Sequence, residues 1–470
     1  MTDDFHSFDD IGWYASAYIL TGCAVQLPLG RVYTFYSPKW VFLSCIAIFE
    51  VGSAICGGAL NSTTVVVGRA IAGIGCAGVF SGAMQLIVTS IPRRKRPIYM
   101  GCMGAIFGVS SVVGPLLGGA LTSNGSWRWC FLINLPIGAV TVVILVFILK
   151  GSPPKDAGKT IKEKILQLDP LGFICLVPAV TCLLLALQWA GSTYSWRNAR
   201  IIVLFVLSLI LTVAFLIIQV RKKGTGTIPI HIIKQRSMAA SFAFGLSIGG
   251  AMLAIIYYLP IWFQGVKGAS PVHSGIMTIP MLLALVVGNI SAGILVSKVV
   301  GYAAPFMIAS SVIMSVGAGL FTTFTTGTGH AKWIGYQVIF GFGLGMGMQQ
   351  GATAIQAAIS KQDIPTGISL IFFAQSLGGA VCICIAQNVL SEELIKGLRG
   401  LVANLNAATV LNLGATEIRG LVPASSLAAV LKAYNSALVD VFYVATAVSS
   451  LSIVGALWVE WKNVKGKKPM

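Results

Sequence analysis

Near-continuous apolar stretches of about 20 residues recur along the whole chain, each closed off by a short polar, basic or Gly/Pro-containing stretch. A bilayer-spanning helix needs about 20 apolar residues, because backbone N–H and C=O groups in hydrocarbon must be satisfied within the segment. The stretches are continuous, unlike the weakly alternating segments of a membrane β-barrel. The pattern predicts roughly 13 helices, over 11–35, 40–60, 64–90, 98–122, 129–149, 170–190, 201–220, 238–263, 275–297, 303–325, 333–357, 367–390 and 440–460. The expected fold class is an all-α polytopic membrane protein.

Basic residues then orient the helices. Of the 32 Lys and Arg, 22 fall in alternate loops that include Arg31 to Lys39, Arg93 to Arg96, Lys150 to Lys164, Arg221 to Arg236 and the Lys462 to Lys468 tail. The short loops on the other side hold only Arg128, Arg197, Arg200, Lys267 and Lys332. The long stretch 391–439 belongs to that poorer side and reads as an outer loop. By the positive-inside rule the rich side is cytoplasmic, so the C-terminus is inside and, with an odd number of helices, the N-terminus is outside. The triplets at Asn61 and Asn124 have the glycosylation pattern and fall on the outer side, which agrees with this orientation.

Composition excludes other classes. Only 10% of the 470 residues are charged and 56% are hydrophobic, where soluble domains carry about 25% charged residues. The net charge of +18 would suit a nucleic-acid binder if it were clustered on one domain. Here it follows the cytoplasmic loops and reads as topology and anionic-lipid contact, so the lipid bilayer is expected as a partner and nucleic acid is not. The acidic opening Asp3 and Asp4 does not suit a cleavable signal peptide. Ten cysteines lie in apolar segments and read as small buried hydrophobes. Cys382 and Cys384 have no second pair or nearby His, and His6, His231, His273 and His330 all lie in loops or tails. No metal site, cofactor or catalytic constellation is therefore expected, and the chain does not read as an enzyme.

The fourth apolar segment carries Gly101, Gly104, Gly108, Gly114, Pro115, Gly118 and Gly119, with small residues at three- and four-residue spacings. Such a stripe lets helix backbones approach closely, and a Gly-Pro step favours a bend. The run predicts a seam between moving bundles. The segment Gly114, Pro115, Leu116, Leu117, Gly118, Gly119 resembles the C motif that marks antiporters of the major facilitator superfamily. Gly30, Arg31 and the residues on to Lys39 are similar to its A motif, with Tyr33 standing near the place of the usual acidic residue. Gly68, Arg69, Gly73 and Gly75 look like its B motif. Trp127, Arg128 and Trp129, followed by Asn134, Pro136 and Gly138, resemble the fungal members of the 14-helix drug:proton antiporter branch. Gly30 to Lys39 and Gly293 to Tyr302 also recur at comparable places in two halves, as expected of alternating-access carriers.

The resemblance implies a major facilitator fold organised as an N-terminal bundle over 1–150, two extra linker helices over 151–236 and a C-terminal six-helix bundle over 237–470. Family members carry a first helix, acidic and Thr-rich, ahead of a segment like Thr2 to Tyr14. The sequence thus reads as a 14-helix carrier without its first helix, from a truncated or misannotated gene. It further implies proton-coupled efflux of hydrophobic drugs, toxins or secondary metabolites at the plasma membrane by a monomer. Proton-coupled uptake of an organic solute such as an iron chelate, or an inactive truncated product, are the alternatives.

Ionisable groups within membrane segments are costly and point to function. Glu50 and Arg69 are the deep ones, and both are candidates for proton coupling. The resemblance makes Arg69 the B-motif arginine. Asp169 and Asp440, at segment ends, read as caps or interface residues. Gln26, Gln85, Tyr257, Tyr258, Gln264, Gln349, Phe373 and Gln375 are candidates for lining a mostly apolar substrate cavity. With little fixed charge, such a cavity suits a small hydrophobic organic substrate.

Overall fold

The computed structural model describes residues 5, 11–149, 163, 168–191, 194–222, 226–398 and 424–464. Its long helices fall on the predicted segments. The first five are α1 (Ile11–Phe35), α2 (Pro38–Gly57), α3 (Ser62–Ser90), α4 (Arg96–Asn124) and α5 (Trp129–Ile148). A pair follows, α6 (Pro170–Trp189) and α7 (Ala199–Arg221). The rest are α8 (Arg236–Gly265), α9 (Val272–Val300), α10 (Ala304–Phe321), α11 (His330–Met348, resuming as Gln350–Ala358), α12 (Ile364–Leu398) and α13 (Ala424–Trp458). Ten of these are long and apolar enough to cross a membrane. The others, α1, α4 and α11, belong to the same packed array. Among the described residues there is no β-strand, only an isolated bridge between Ala190 and Tyr194.

Local chemistry explains several helix ends. Asn61 accepts from the Thr64 amide and starts α3, Asn198 accepts from the Arg200 amide and starts α7, and Pro38 and Pro170 sit in first turns, where a missing N–H costs nothing. Two boundaries differ from expectation. The stretch 391–439 is helical at both ends, since α12 runs to Leu398 and α13 begins at Ala424. Leu390, Leu394 and Leu398 repeat every four residues and join Val430, Tyr434 and Leu438 in the core of α8 to α13, while Glu392, Glu393 and Lys396 point outward. An amphipathic stripe of this kind is helical without being a continuous apolar run. Residues 399–423 lie outside the described residues. Among the cysteines, Cys102 departs from expectation by being exposed on α4.

Helices α8 to α13 pack around an aromatic core that includes Trp262, Tyr258, Phe244, Phe321, Phe340 and Phe442. Trp262 donates to Asn435 Oδ1 (2.8 Å), and Asn435 Nδ2 donates to Phe324 O (2.9 Å), so the polar atoms buried there are paired. In α1 to α5, α3 is the centre against which α1 and α2 pack. Two seams join these sets: α1 on α12, and α4 on α9. Helix α4 leans more on α9 than on α3 or α5.

One end of the array carries the segments Arg93–Lys95, Lys298 and 458–464 and is called here the basic face. It is densely tied. Ser297 Oγ donates to Arg94 O, Arg236 Nε donates to Trp458 O (2.8 Å), Ser237 Oγ donates to Glu460 (2.8 Å), and His231 Nε2 lies 3.1 Å from Asp363.

The pair α6–α7 is fastened by one carboxylate. Asp169 is fully buried and takes φ 56°, a left-handed conformation an Asp tolerates. It accepts from the Gly172 amide, Gln219 Nε2, Lys222 Nζ and both the amide and hydroxyl of Thr227, at 2.8–3.1 Å. Burial alone would push this carboxyl up, but the bonds from Lys222, Gln219, Thr227 and Gly172 together hold it below the ordinary carboxylate range. The expectation of a capping role is met, and the cap also ties the start of α6 to the end of α7.

Candidate functional site between the two sets of helices

Helix α11 is interrupted at Gln349, where φ is −104° and ψ is −2°. The interruption frees the Met348 carbonyl, which accepts from Gln375 Nε2 on α12 (2.9 Å). Asn289 on α9 lies beside it, with its amide 3.7 Å from Met348 Sδ, and its side chain fills the space that a Cβ on Gly104 of α4 would need. One and two turns further, Thr353 and Gln356 reach Met100 of α4 at 3.6 and 3.3 Å. The break therefore faces the other set of helices across the α4–α9 seam.

Gln349 is only 2% exposed, yet neither of its amide atoms has a hydrogen-bond partner. Gln350 Oε1, Gln85 Oε1 and Ser241 Oγ are likewise buried and unpaired. An unsatisfied buried polar group costs about 1–3 kcal/mol. Gln349 and Gln350 lie at the helix break and Ser241 lies beside Gly351, so unpaired polar groups gather where the helix is interrupted, a feature that substrate sites of secondary transporters share. Phe80 of α3 meets Phe372 of α12 edge-on at 4.9 Å, adding an aromatic pair across the other seam. The neutral amides donate and accept without fixed charge, so the setting suits neutral organic groups.

The other cavity candidates are spread out. Gln26 donates to Ser81 (2.6 Å) between α1 and α3. Phe373 is buried on α12, and Gln375 lies against Gly249 of α8. Tyr258 is nine residues, about 13.5 Å, beyond Gly249 along α8, fully buried, with its hydroxyl 3.1 Å from Gln387. Tyr257 is exposed, and Gln264 donates to Ser274 (2.9 Å) at the far end of α8. The structure thus brings Gln349 and Gln375 together, and leaves Tyr257, Tyr258 and Gln264 away from them. Asn289 was not among the candidates; its signal was a lone Asn in an otherwise apolar segment opposite the glycine stripe.

The glycine stripe divides into two parts. A Cβ on Gly101 would stand 2.7 Å from the Asn289 carbonyl oxygen, and one on Gly108 would stand 2.8 Å from Val286. At Gly114 and Gly118 nothing lies within 4 Å of that position, and at Gly119 Val272 is in ordinary contact at 3.5 Å. Helix α4 continues through Pro115 without a break. Gly30 of α1 packs against Ser369 of α12 so closely that a Cβ would stand 2.6 Å from the Ser369 Cβ. Beside it Arg31 is buried, its guanidinium 4.8 Å above the Phe35 ring and its Nε unpaired, within electrostatic reach of Asp169 and Asp363. Tyr33 donates to Gly78 O (2.8 Å), holding α1 to α3.

Arg69 lies toward the face opposite the basic one. Its Nε donates to Tyr14 O (2.7 Å) and its guanidinium sits 4.3 Å above the Tyr18 ring. Glu50 is elsewhere: its carboxylate occupies the space beside Gly138 of α5, with Oε2 buried and unpaired. The two are not an ion pair.

The sequence pattern described as "Major Facilitator Superfamily" matches residues 1–382. The chain is 51% identical over 468 residues to the MFS-type transporter VdtG of Byssochlamys spectabilis, covering 100% of this chain and 84% of that protein. It is 50% identical to the MFS-type efflux pump MFS1 of Arthroderma benhamiae (100% and 87% covered) and 49% identical to the efflux pump aflT of Aspergillus parasiticus (99% and 91% covered). In structure it resembles the human organic anion transporter MFSD10 (TETRAN), with a TM-score of 0.55 over 92% of this chain and 83% of the other, at 12% identity. That likeness concerns the fold alone.

Proposed function

The chain belongs to the Major Facilitator Superfamily, and from that premise we propose that it is an efflux pump for hydrophobic secondary metabolites or toxins, driven by protons. The relatives at about 50% identity include proteins named as efflux pumps. The observation that carries the substrate class is the buried, unpaired amide of Gln349 at the α11 break, next to Met348, which Asn289 and Gln375 approach. Amides without a companion charge favour neutral molecules that present carbonyl or hydroxyl groups on an apolar frame.

The transport cycle is alternating access. The two sets of helices are joined tightly toward the basic face, through Gly101 and Gly104 on Asn289 and through Gly30 on Ser369, while Gly114 and Gly118 face open space. Rocking about the α4–α9 and α1–α12 seams would open the tight end and bring the loose end together. The groups 1–150, 151–236 and 237–470 are the moving and linking units of this reading. Arg69 is the residue through which protons act on the cycle, and Glu50 is a second titrating group on a separate face. The pump works as a monomer in the plasma membrane with its C-terminus in the cytoplasm.

The test is accumulation of a fluorescent hydrophobic compound in cells that express the chain. Expression should lower accumulation, and a protonophore should restore it. Unchanged accumulation with and without the protonophore overturns the reading, and increased accumulation marks uptake instead.

A further inference from the structure

A cavity of about 410 Å³ lies between the α6–α7 pair and the α1–α12 seam, on the face of α12 that carries Leu370, Phe373 and Leu377 rather than Gln375. That volume falls in the range of about 300–1,000 Å³ usual for small-molecule sites. Its walls are side chains such as Leu176, Val180, Phe215, Phe242, Leu370 and Phe373. Of the lining residues only Ser208 and Thr212 are polar, and Ser208 donates to Ala179 O (2.8 Å). The cavity thus offers almost nothing for a metabolite's carbonyl or hydroxyl to bind, and asks for an alkyl chain. Leu216 and Ile233 on its rim are 50% and 41% exposed on the outside of the helix array, so it opens sideways toward lipid.

The charge at that rim is positive. Lys234 follows the wall residue Ile233. It is exposed and pairs with no carboxylate among the described residues. The acidic groups of the region are engaged elsewhere, Asp169 with Lys222 and Asp363 with His231 and Ser360. Basic side chains at the end of a transmembrane pocket attract anionic lipid headgroups.

From the apolar walls, the lateral opening and the basic rim, we propose that this cavity holds one acyl chain of an anionic phospholipid from the leaflet at the basic face. The bound chain fills the gap where the linker pair meets the α1–α12 seam, and Lys234 holds the phosphate. The lipid is thereby a structural partner of one of the two seams about which the proposed cycle turns, at a place separate from the transported molecule.

The experiment uses the purified full chain in detergent, with phosphatidylserine or phosphatidylcholine added back and retention read by native mass spectrometry. The parent chain should keep one phosphatidylserine, with at least a fivefold preference over phosphatidylcholine. Lys234→Gln should abolish the preference, and Ala239→Phe, which fills the cavity, should abolish retention. A phosphatidylserine with a diazirine in its acyl tail should label residues 176–183, 208–216 and 370–377 of the parent chain, a readout that does not depend on whether Ala239→Phe folds. The proposal is overturned if no lipid is retained, if label spreads evenly around the helix array, if Ala239→Phe folds and retains lipid like the parent, or if a fluorescent efflux substrate displaces the lipid competitively.

Discussion

Gly101→Ala and Gly114→Ala should move the carrier in opposite directions, although they are the same substitution on the same helix. At Gly101 the new methyl would stand 2.7 Å from the Asn289 carbonyl oxygen, a backbone atom that cannot rotate aside. Overpacking of this kind costs about 1–3 kcal/mol, while the helix propensity gained when Gly becomes Ala is common to both arrangements and cancels. The penalty on the observed arrangement is therefore about 1–3 kcal/mol, and each 1.4 kcal/mol is roughly tenfold in population. At Gly114 there is no atom within 4 Å, so the observed arrangement pays nothing, while an arrangement that closes α4 onto α9 at that level would be penalised. Spin labels on cysteines at Lys95 and Lys361, exposed near the basic face on opposite sides of the seams, with the exposed Cys102 replaced by Ser, report the separation by pulsed EPR. Gly101→Ala should enlarge the long-distance population and Gly114→Ala should deplete it. Equal shifts, or a larger opening with Gly114→Ala, would refute the idea that the two parts of the stripe close in alternate states.

Other substitutions test other parts of the molecule. Asp169→Ala strands Lys222, Gln219 and Thr227 and should cost about 3–5 kcal/mol, as removal of one partner from a buried pair does; because Lys222 is 26% exposed, the low end is expected, read as a fall in the thermal unfolding midpoint. The Asp169 carboxyl sits below its ordinary value, so its contribution is complete above about pH 4 and is lost only as pH falls through the depressed value; the difference in midpoint between parent and Asp169→Ala should be constant from pH 5 to 8 and shrink in stronger acid. Gln349→Leu should raise stability by about 1–3 kcal/mol by removing an unpaired buried amide while weakening substrate binding about tenfold, a combination that a merely structural glutamine would not produce. Arg69→Ala should abolish proton-driven efflux yet leave exchange of labelled for unlabelled substrate, and since Glu50 lies on a different face, a double-mutant cycle between the two should show coupling below about 0.5 kcal/mol.

The helices were legible because hydrocarbon admits few backbone solutions: an apolar run of sufficient length has to be helical, and all thirteen predicted segments have a helix on them. What polarity alone could not show was the amphipathic continuation of α12 past Leu390, where Leu394 and Leu398 carry the core between charged neighbours. Gln349 and Gln375 stood out as amides in apolar surroundings. Tyr258 and Gln264 stood out equally, and only the fold distinguishes amides at a helix break from polar groups already satisfied inside a bundle. Asn289 was missed because its meaning depends on Gly104, 185 positions earlier, pressing against it from another helix. Likewise the glycine stripe reads as one motif along the chain, while its two ends meet different surroundings.

Helices α12 and α13 are each 35 residues long, about 52 Å at 1.5 Å per residue, against a hydrocarbon layer of about 30 Å. Leu394, Leu398, Val430 and Tyr434 share one buried core, and Tyr434 packs on Gly265 of α8, so the excess length of roughly 20 Å is braced by the rest of the bundle. The far ends of α12 and α13 are thereby rigidly continuous with one of the two bodies of the proposed cycle. A recognition fragment gripping those ends would serve as a fiducial for imaging, and its tilt would report the motion of the whole body.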